Sequence, residues 1–356
     1  MNNKLEIVKL TGRCSMQDLG RASAQHLGFS CGGAADLNAF LSANQLLKND
    51  KNDAALEVTL GKITLKAHAI TTVAITGADC FATINDKAIV HWARHTLQVG
   101  DILQLKLPKR GLHTYIAITN GVNSPLWLNS RSQTLNEQAL GFSGNVLQQG
   151  AMINLQATCS DSARVFSTIE STLQSTLESS VPPQKTLGMH QPLHQKTPTL
   201  FYPENTLVLR FIPNKTWHEL SAERQKVFCE NTFSVASESN RMGYRFTTIN
   251  NIENKINNRA GISEKKEDSG KVNTSSLTGG LSKPITYGTI QLPMLDSPIV
   301  LMKERQTIGG YPVIGSVMQT DLFRLCQKRP GEKVIFVPTT LTFSRQQLSA
   351  FYQRFQ

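Results

Sequence analysis

Tyr115-Ile116-Ala117-Ile118-Thr119-Asn120-Gly121 decides the fold class of the first half of this chain. Five residues that suit a strand run into Asn-Gly, the dipeptide that supplies the positive φ of a tight turn. The same short pattern recurs on its N-terminal side, at Leu56 to Leu60, at Val73 to Thr76 before Gly77, and at Ile102 to Leu107. One helix interrupts it. Asp36 is placed to cap that helix, and Leu37, Phe40, Leu41, Asn44 and Leu47 then share one face, with Asn49-Asp50 as the stop. Residues 1–157 therefore read as a β-rich domain with a single prominent helix, which does not suit a doubly wound nucleotide fold.

After that point the composition turns to Ser, Thr, Gln and Pro. Residues 158–205 read as a linker, in which Ala163 to Ser179 could form a helix. A second domain, 206–356, opens with the strand Leu207 to Ile212 and a helix capped by Ser221. It continues with a strand-like run at Ile299 to Met302, a helix-like run at Asp321 to Gln327 and a strand at Val334 to Val337. A capping-box helix at Ser344-x-x-Gln347 closes it. Within it, residues 250–283 are rich in Asn, Lys, Glu, Ser and Gly and read as an inserted surface loop.

Bulk properties narrow the function classes. With 356 residues, 40% hydrophobic and 18% charged, the chain has the composition of a globular protein. No apolar stretch approaches the ~20 residues of a membrane helix, and Met1 to Leu10 lack the pattern of a signal peptide, so a soluble cytoplasmic protein is expected. Six cysteines are scattered without a Cys-x-x-Cys pair, which argues against structural zinc and against a disulfide framework. Lysine and arginine exceed the acids by 37 − 26 = 11, yet the basic residues are dispersed and lack interleaved aromatics. Nucleic acid is therefore not the expected partner; small anionic substrates or an acidic partner protein explain the same excess. No Walker A loop, Gly-x-Ser-x-Gly elbow, His-Glu-x-x-His or spaced carboxylate pair is present.

What remains is a set of glycine and arginine runs. Gln306-Thr307-Ile308-Gly309-Gly310-Tyr311-Pro312 combines hydrogen-bonding side chains with glycines that allow close backbone approach or positive φ; taken alone, it reads more readily as a tight bend that lets two layers pack. Gly12 to Arg21 pairs Asp18 with arginines, which suits either an anion clamp or an internal salt bridge. Ser30 to Asp36, through Gly32 and Gly33, would offer free amides at a helix start. Ser130-Arg131-Ser132 sets two hydroxyls around a guanidinium, and Arg241 stands beside Gly243 and Tyr244.

Taken in order, these runs resemble one family. Met16-Gln-Asp-Leu-Gly-Arg21, Gly32-Gly-Ala-Ala-Asp36, Ala55-Leu-Glu-Val-Thr59, Ile75-Thr-Gly-Ala-Asp79, Ser130-Arg-Ser132, Arg241-Met-Gly-Tyr-Arg245, Gly288-Thr-Ile-Gln-Leu-Pro293 and Gln306 to Pro312 are similar to the biotin-dependent carboxyltransferase family of allophanate hydrolase subunit 2-like proteins. The resemblance implies a β-rich α+β fold, with two cyclophilin-like β-barrel domains joined by the polar linker. It implies a heteromeric assembly with a sister subunit of related fold and a third, barrel-type subunit. The implied reaction is 5-oxoprolinase-type opening of a small cyclic amide to glutamate, with ATP as co-substrate and Mg in the complex. A carboxyltransferase acting on a urea-like amide and a non-catalytic regulatory subunit are the alternatives. Biotin would arrive only on another chain, because no Ala-Met-Lys-Met sequence is present. On this reading Asp18, Arg131 and Arg241 carry catalysis. Gln17, Arg21, Gly32, Gly33, Asp36, Ser130, Ser132, Gly243, Gln306, Thr307, Gly309, Gly310 and Tyr311 bind substrate or phosphate, and no metal is held. The chain departs from the family pattern at Ala35, at Asn129 (usually Gly), at Glu304 (usually Asp) and at Ile308 (usually Thr).

Overall fold

The longest strands are β1 (Lys4–Gln17) and β2 (Ala55–Ala67), paired antiparallel from Leu5 against Ala67 to Gln17 against Ala55. Apolar residues at alternate positions, Leu5 and Ile7 in one and Ile63 and Leu65 in the other, fall on the buried face. The computed structural model that contains them describes residues 3–142, 144, 147–156, 206–249 and 282–356. The expected linker, the helix within it and nearly all of the expected insert lie outside the described residues.

Seven more strands complete the first domain: β3 (Thr71–Asp79), β4 (Thr83–Ile84), β5 (Lys87–Ala88), β6 (Ala93–Leu97), β7 (Ile102–Leu105), β8 (Arg110–Ile118) and β9 (Met152–Asn154). They form a curled sheet in the order β5-β4-β7-β2-β8-β3-β6, with β1 on β2 and β9 on β1. The second domain is a closed barrel. Its strands are β10 (Leu207–Pro213), β11 (Phe233–Val235), β12 (Gly243–Thr248), β14 (Thr289–Gln291), β15 (Ile299–Leu301), β17 (Val313–Val317) and β18 (Lys333–Pro338). They close in the order β10-β17-β14-β15-β12-β11-β18, while β13 (Lys283–Pro284) and β16 (Ile308–Gly309) pair separately as a short ribbon.

The expected helix is α1 (Leu37–Leu47), and Asp36 caps it by accepting from the Ala39 amide at 3.0 Å. Leu37, Phe40, Leu41 and Asn44 of the expected face are buried, and Asn44 donates to the Asp53 carbonyl at 2.9 Å. Three short elements were not expected: α2 (Leu135–Ala139), α3 (Lys215–Glu219) and a 3-10 turn at Ala22–Leu27. Ser221 caps α4 (Ala222–Glu230), as its sequence predicts, and α5 spans Gln319–Leu325. The last helix corrects an expectation. α6 (Leu341–Gln353) begins a turn earlier than Ser344, because the Thr340 hydroxyl accepts from the Phe343 amide at 3.2 Å.

Each domain has its own core, and a third core joins them. Phe40, Leu41 and Tyr115 of the first half pack with Phe323, Phe351 and Phe355 of the second. α5 and α6 thus lie against α1. Each aromatic buried there is worth about 1.5–3 kcal/mol, enough to fix the two halves together.

Candidate functional site

β1 delivers Asp18 to a buried hub. The Asp18 Oδ1 accepts from the Gly20 amide (2.7 Å), the Ser130 hydroxyl (2.7 Å) and the Ser132 hydroxyl (2.5 Å), and Oδ2 accepts from the Arg131 amide at 2.6 Å. One carboxylate thereby shapes the whole Ser130-Arg131-Ser132 loop. Just before that loop, Asn129 has φ 60°. Asparagine is one of the few side chains that enters the left-handed region readily. The Arg131 guanidinium donates to the Ser124 carbonyl. Gln17 donates to Ser15 (2.9 Å) and to the Gln133 carbonyl (2.8 Å).

Arg21 is 1% exposed. It donates to the Ser132 and Ser30 carbonyls and to Thr134, and its guanidinium lies 4.8 Å from the Trp127 ring centre. Burial pulls its pKa below the usual range, against Glu137 and Asp18. Glu137 in turn accepts from the Ser30 amide and hydroxyl, both at 2.8 Å.

The second cluster straddles the two halves. Glu57, on β2, accepts from the Ala35 amide (2.9 Å), Tyr115 Oη (2.7 Å) and Arg241 Nη1 (2.5 Å), with His113 Nδ1 at 3.4 Å. Arg241 reaches on to Glu304 Oε1 through Nε at 2.5 Å and to the Gly33 carbonyl through Nη2 at 2.7 Å. Glu304 also accepts from Arg13 (3.2 Å) and from the Leu135 amide (3.1 Å). Burial alone would raise the Glu57 carboxyl, but Arg241 and His113 overcome it and hold Glu57 well below the usual carboxylate range. Asp36, at the same seam, goes the other way. Burial lifts its carboxyl to about 6, against its hydrogen bonds from Gln327 and Ala39.

The amides expected to be free at the start of α1 are therefore engaged. Gly32 N donates to the Lys303 carbonyl, Ala34 N to the Asp18 carbonyl, Ala35 N to Glu57 and Asp36 N to Tyr115 Oη. The anion at this helix start is the chain's own Glu57. Gly32 and Gly33 do take positive φ (61° and 91°), and a Cβ on Gly33 would lie 2.8 Å from the Leu19 carbonyl oxygen.

The glycine loop lies elsewhere. Gly309, Gly310 and Tyr311 line a cleft of about 510 Å³ together with Asn214, Arg224 and Lys283. All of the residues lining that cleft belong to the second half, so it is not a composite of both. Neither Gly309 nor Gly310 takes positive φ; close packing is what requires Gly309, where a Cβ would lie 2.5 Å from Gln291 Nε2. Gln306 is exposed, and the Thr307 carbonyl accepts from Ile285 N at 3.1 Å, at the end of the β13–β16 ribbon. Gly243 belongs to the barrel wall, paired with Leu301, and Arg241 alone of the expected residues lines a smaller pocket of about 220 Å³ at the seam.

Sequence reasoning gave no site role to Glu57, Lys303 or Gln327. Gln327 accepts from the Leu112 and His113 amides and donates to Asp36 and the His113 carbonyl, tying α5 to the first sheet. Glu57 left a readable trace, a carboxylate inside the apolar strand Ala55-Leu-Glu-Val. Neither Arg21 nor Arg241 is open to a phosphate. Arg21 and Arg241 are buried in internal contacts, and no group of three His, Cys, Asp or Glu among the described residues could hold a metal. Among the described residues no helix is long and apolar enough to cross a membrane.

Residues 27–338 match the family model described as carboxyltransferase domain, subdomains A and B. The chain belongs to that family. It is 29% identical over 337 residues to a 5-oxoprolinase subunit of Escherichia coli, covering 95% of this chain and 92% of the bacterial protein. It is 24% identical over 342 residues to urea amidolyase of Saccharomyces cerevisiae, covering 96% of this chain and 17% of that protein. Among solved structures, urea amidolyase of K. lactis superposes with a TM-score of 0.75 at 22% identity, over 100% of this chain and 20% of that one. The protein TTHA0988 superposes with a TM-score of 0.66 at 22% identity, over 94% of this chain and 55% of that one. At those identities the structures speak for the fold alone.

Proposed function

We propose that the chain is one subunit of an ATP-dependent 5-oxoprolinase-type amidohydrolase that opens the 5-oxoproline lactam to glutamate. The observation that carries the reading is the matched length. The chain and the Escherichia coli 5-oxoprolinase subunit cover 95% and 92% of one another, whereas the urea amidolyase match takes in 17% of that protein. A sister subunit of related fold and a third, barrel-type subunit complete the proposed assembly. ATP with its Mg is the co-substrate of that assembly, and Arg21 and Arg241 of this chain, committed internally, are not the groups that hold its phosphates. The contribution of this chain is the 510 Å³ cleft beside Gly310, where backbone and polar groups can hold a small amide.

The test is to co-express the chain with its genomic neighbours and to measure glutamate release from 5-oxoproline and ATP. A folded, fully assembled complex without turnover would sink the proposal. A second reading, a non-catalytic subunit that binds a related β-barrel protein, is favoured by one observation: Arg241 is tied to Glu57 and Glu304 instead of being open to substrate. Gly310→Ala separates the two. The enzyme reading requires a fall in turnover with the assembly intact, whereas a pure binder has no turnover to lose.

A further inference from the structure

Phe29, Trp127 and Phe142 come from three segments of the first half and form one aromatic cluster. Phe29 meets Trp127 edge-on with ring centres 4.9 Å apart, and Phe142 lies parallel to Trp127 at 5.2 Å. Leu27 and Leu126 lie beside these rings in sequence, and Leu135 and Leu140 bound the short helix α2 that leads to Phe142. All four leucines are more than half exposed, and Phe142 is exposed as well. An exposed leucine standing singly is ordinary, but a contiguous apolar group of this kind marks an interaction surface. The cluster is also held stiffly. Trp127 and Ser130 exchange backbone hydrogen bonds of 2.9 and 3.1 Å across a turn in which Leu128 takes φ 50°, a backbone that leucine seldom adopts. The Trp127 ring centre rests 4.8 Å from the buried Arg21 guanidinium. Covering a face already so ordered costs little further freedom.

Charge identifies what covers this face. Residues 124–142 include two charged side chains, Arg131 and Glu137, and both are engaged: Glu137 is buried against Ser30, and the Arg131 guanidinium donates to the Ser124 carbonyl. Nucleic acid and anionic membranes are gripped by open cations, and this stretch offers no unengaged lysine or arginine. The chain as a whole carries a net charge of +11, which repels a second copy and attracts a protein of opposite sign. We infer that the face docks a second, net-acidic protein subunit through an apolar, uncharged patch of that subunit, with Trp127 and Phe142 as the central anchors. The inference rests on the assembly proposed above and adds to it the surface by which this chain is held.

The experiment uses the full chain co-expressed with its genomic neighbours. Leu126→Asp and Leu140→Asp change exposed side chains and are each expected to weaken assembly by about tenfold or more, with the melting temperature of the chain itself unchanged. Val90→Asp, at an exposed position outside this face, is expected to assemble normally. Raising sodium chloride about tenfold is expected to slow association of the unmutated chain with its partner. In the unmutated complex, hydroxyl-radical oxidation of Phe142, read by peptide mass spectrometry, is expected to be severalfold slower than in the free chain, while exposed Phe81 keeps its rate. That measurement decides the matter if the variants fail to fold. Normal assembly of both leucine variants, unprotected Phe142, or association indifferent to salt would each overturn the inference and leave the proposed enzyme standing wherever the complex turns over. A complex broken by the leucine variants but without turnover would do the reverse, and absence of any complex would overturn both. Self-association of the chain alone, or its binding to anionic vesicles or RNA, abolished by Leu126→Asp would name another occupant and overturn the inference.

Discussion

Asp36 joins two jobs that conflict as pH changes. It caps α1 and accepts from Gln327, yet it lies where burial lifts its pKa to about 6 from an ordinary 3.8. A raised folded-state pKa means that the native chain holds the proton more tightly than the unfolded chain does. Its contribution to stability is therefore complete below pH about 4 and is lost as pH climbs through 6. Asp36→Asn cannot ionise and forfeits the Gln327 bond at every pH. Relative to wild type it should gain on the order of 2–3 kcal/mol between pH about 4 and about 7. Urea melts at the two pH values check this, and a constant difference between the proteins would refute it. Arg241 makes the opposite prediction. Arg241→Met leaves Glu57 and Glu304 buried without their partner and should cost about 3–5 kcal/mol at neutral pH. Denaturant melts read that directly, and an unaltered midpoint would show that the cluster contributes nothing net. Both sites were half legible in the sequence. Arg241 and Asp36 stood out in their motifs, but a fit to anions does not say whether the anion comes from outside. That answer depended on Glu57 and Glu304, which lie 184 and 63 residues from Arg241 in sequence.

At the level of elements, local signals served well wherever the partner was local. The strands β2, β3, β7 and β8 and the cap of α1 follow from runs and turn residues that a short window contains. The start of α6 did not follow, because Thr340 and Ser344 are both capable caps and only the end of β18 decides between them. The Gly309-Gly310 pair was misleading in conformation for the same reason. Its backbone is set by Lys283 and Pro284 across the ribbon, far away in sequence, and not by any need for positive φ. The two glycines should therefore respond differently to alanine. Gly309→Ala drives a methyl against buried Gln291 and should cost about 1–3 kcal/mol. Gly310→Ala meets nothing within 4 Å and should stay within about 0.5 kcal/mol of wild type. Thermal melts of the pair check the contrast; equal losses would mean that the ribbon packs otherwise.

For the whole molecule, the third core and the Arg241 cluster predict that the two halves unfold together, although each has its own apolar centre. The tryptophans make this measurable, since Trp92 and Trp127 lie in the first half and Trp217 in the second. Variants retaining only one side's tryptophans should give coincident denaturation curves, and separated midpoints would show independent domains. Phe351→Ala, which removes one ring from the junction, should cost about 3 kcal/mol and begin to pull the curves apart. The joint core also imposes an order of events on synthesis. Phe323 follows Leu47 by 323 − 47 = 276 residues, which at ~5–20 residues per second is about 14–55 s of translation. Throughout that interval the core around α1, already backed by Ala74, Tyr115 and Ala117, lacks the Phe323, Phe351 and Phe355 rings that complete it, so a ribosome-associated chaperone has a defined patch to shield until the last helices emerge.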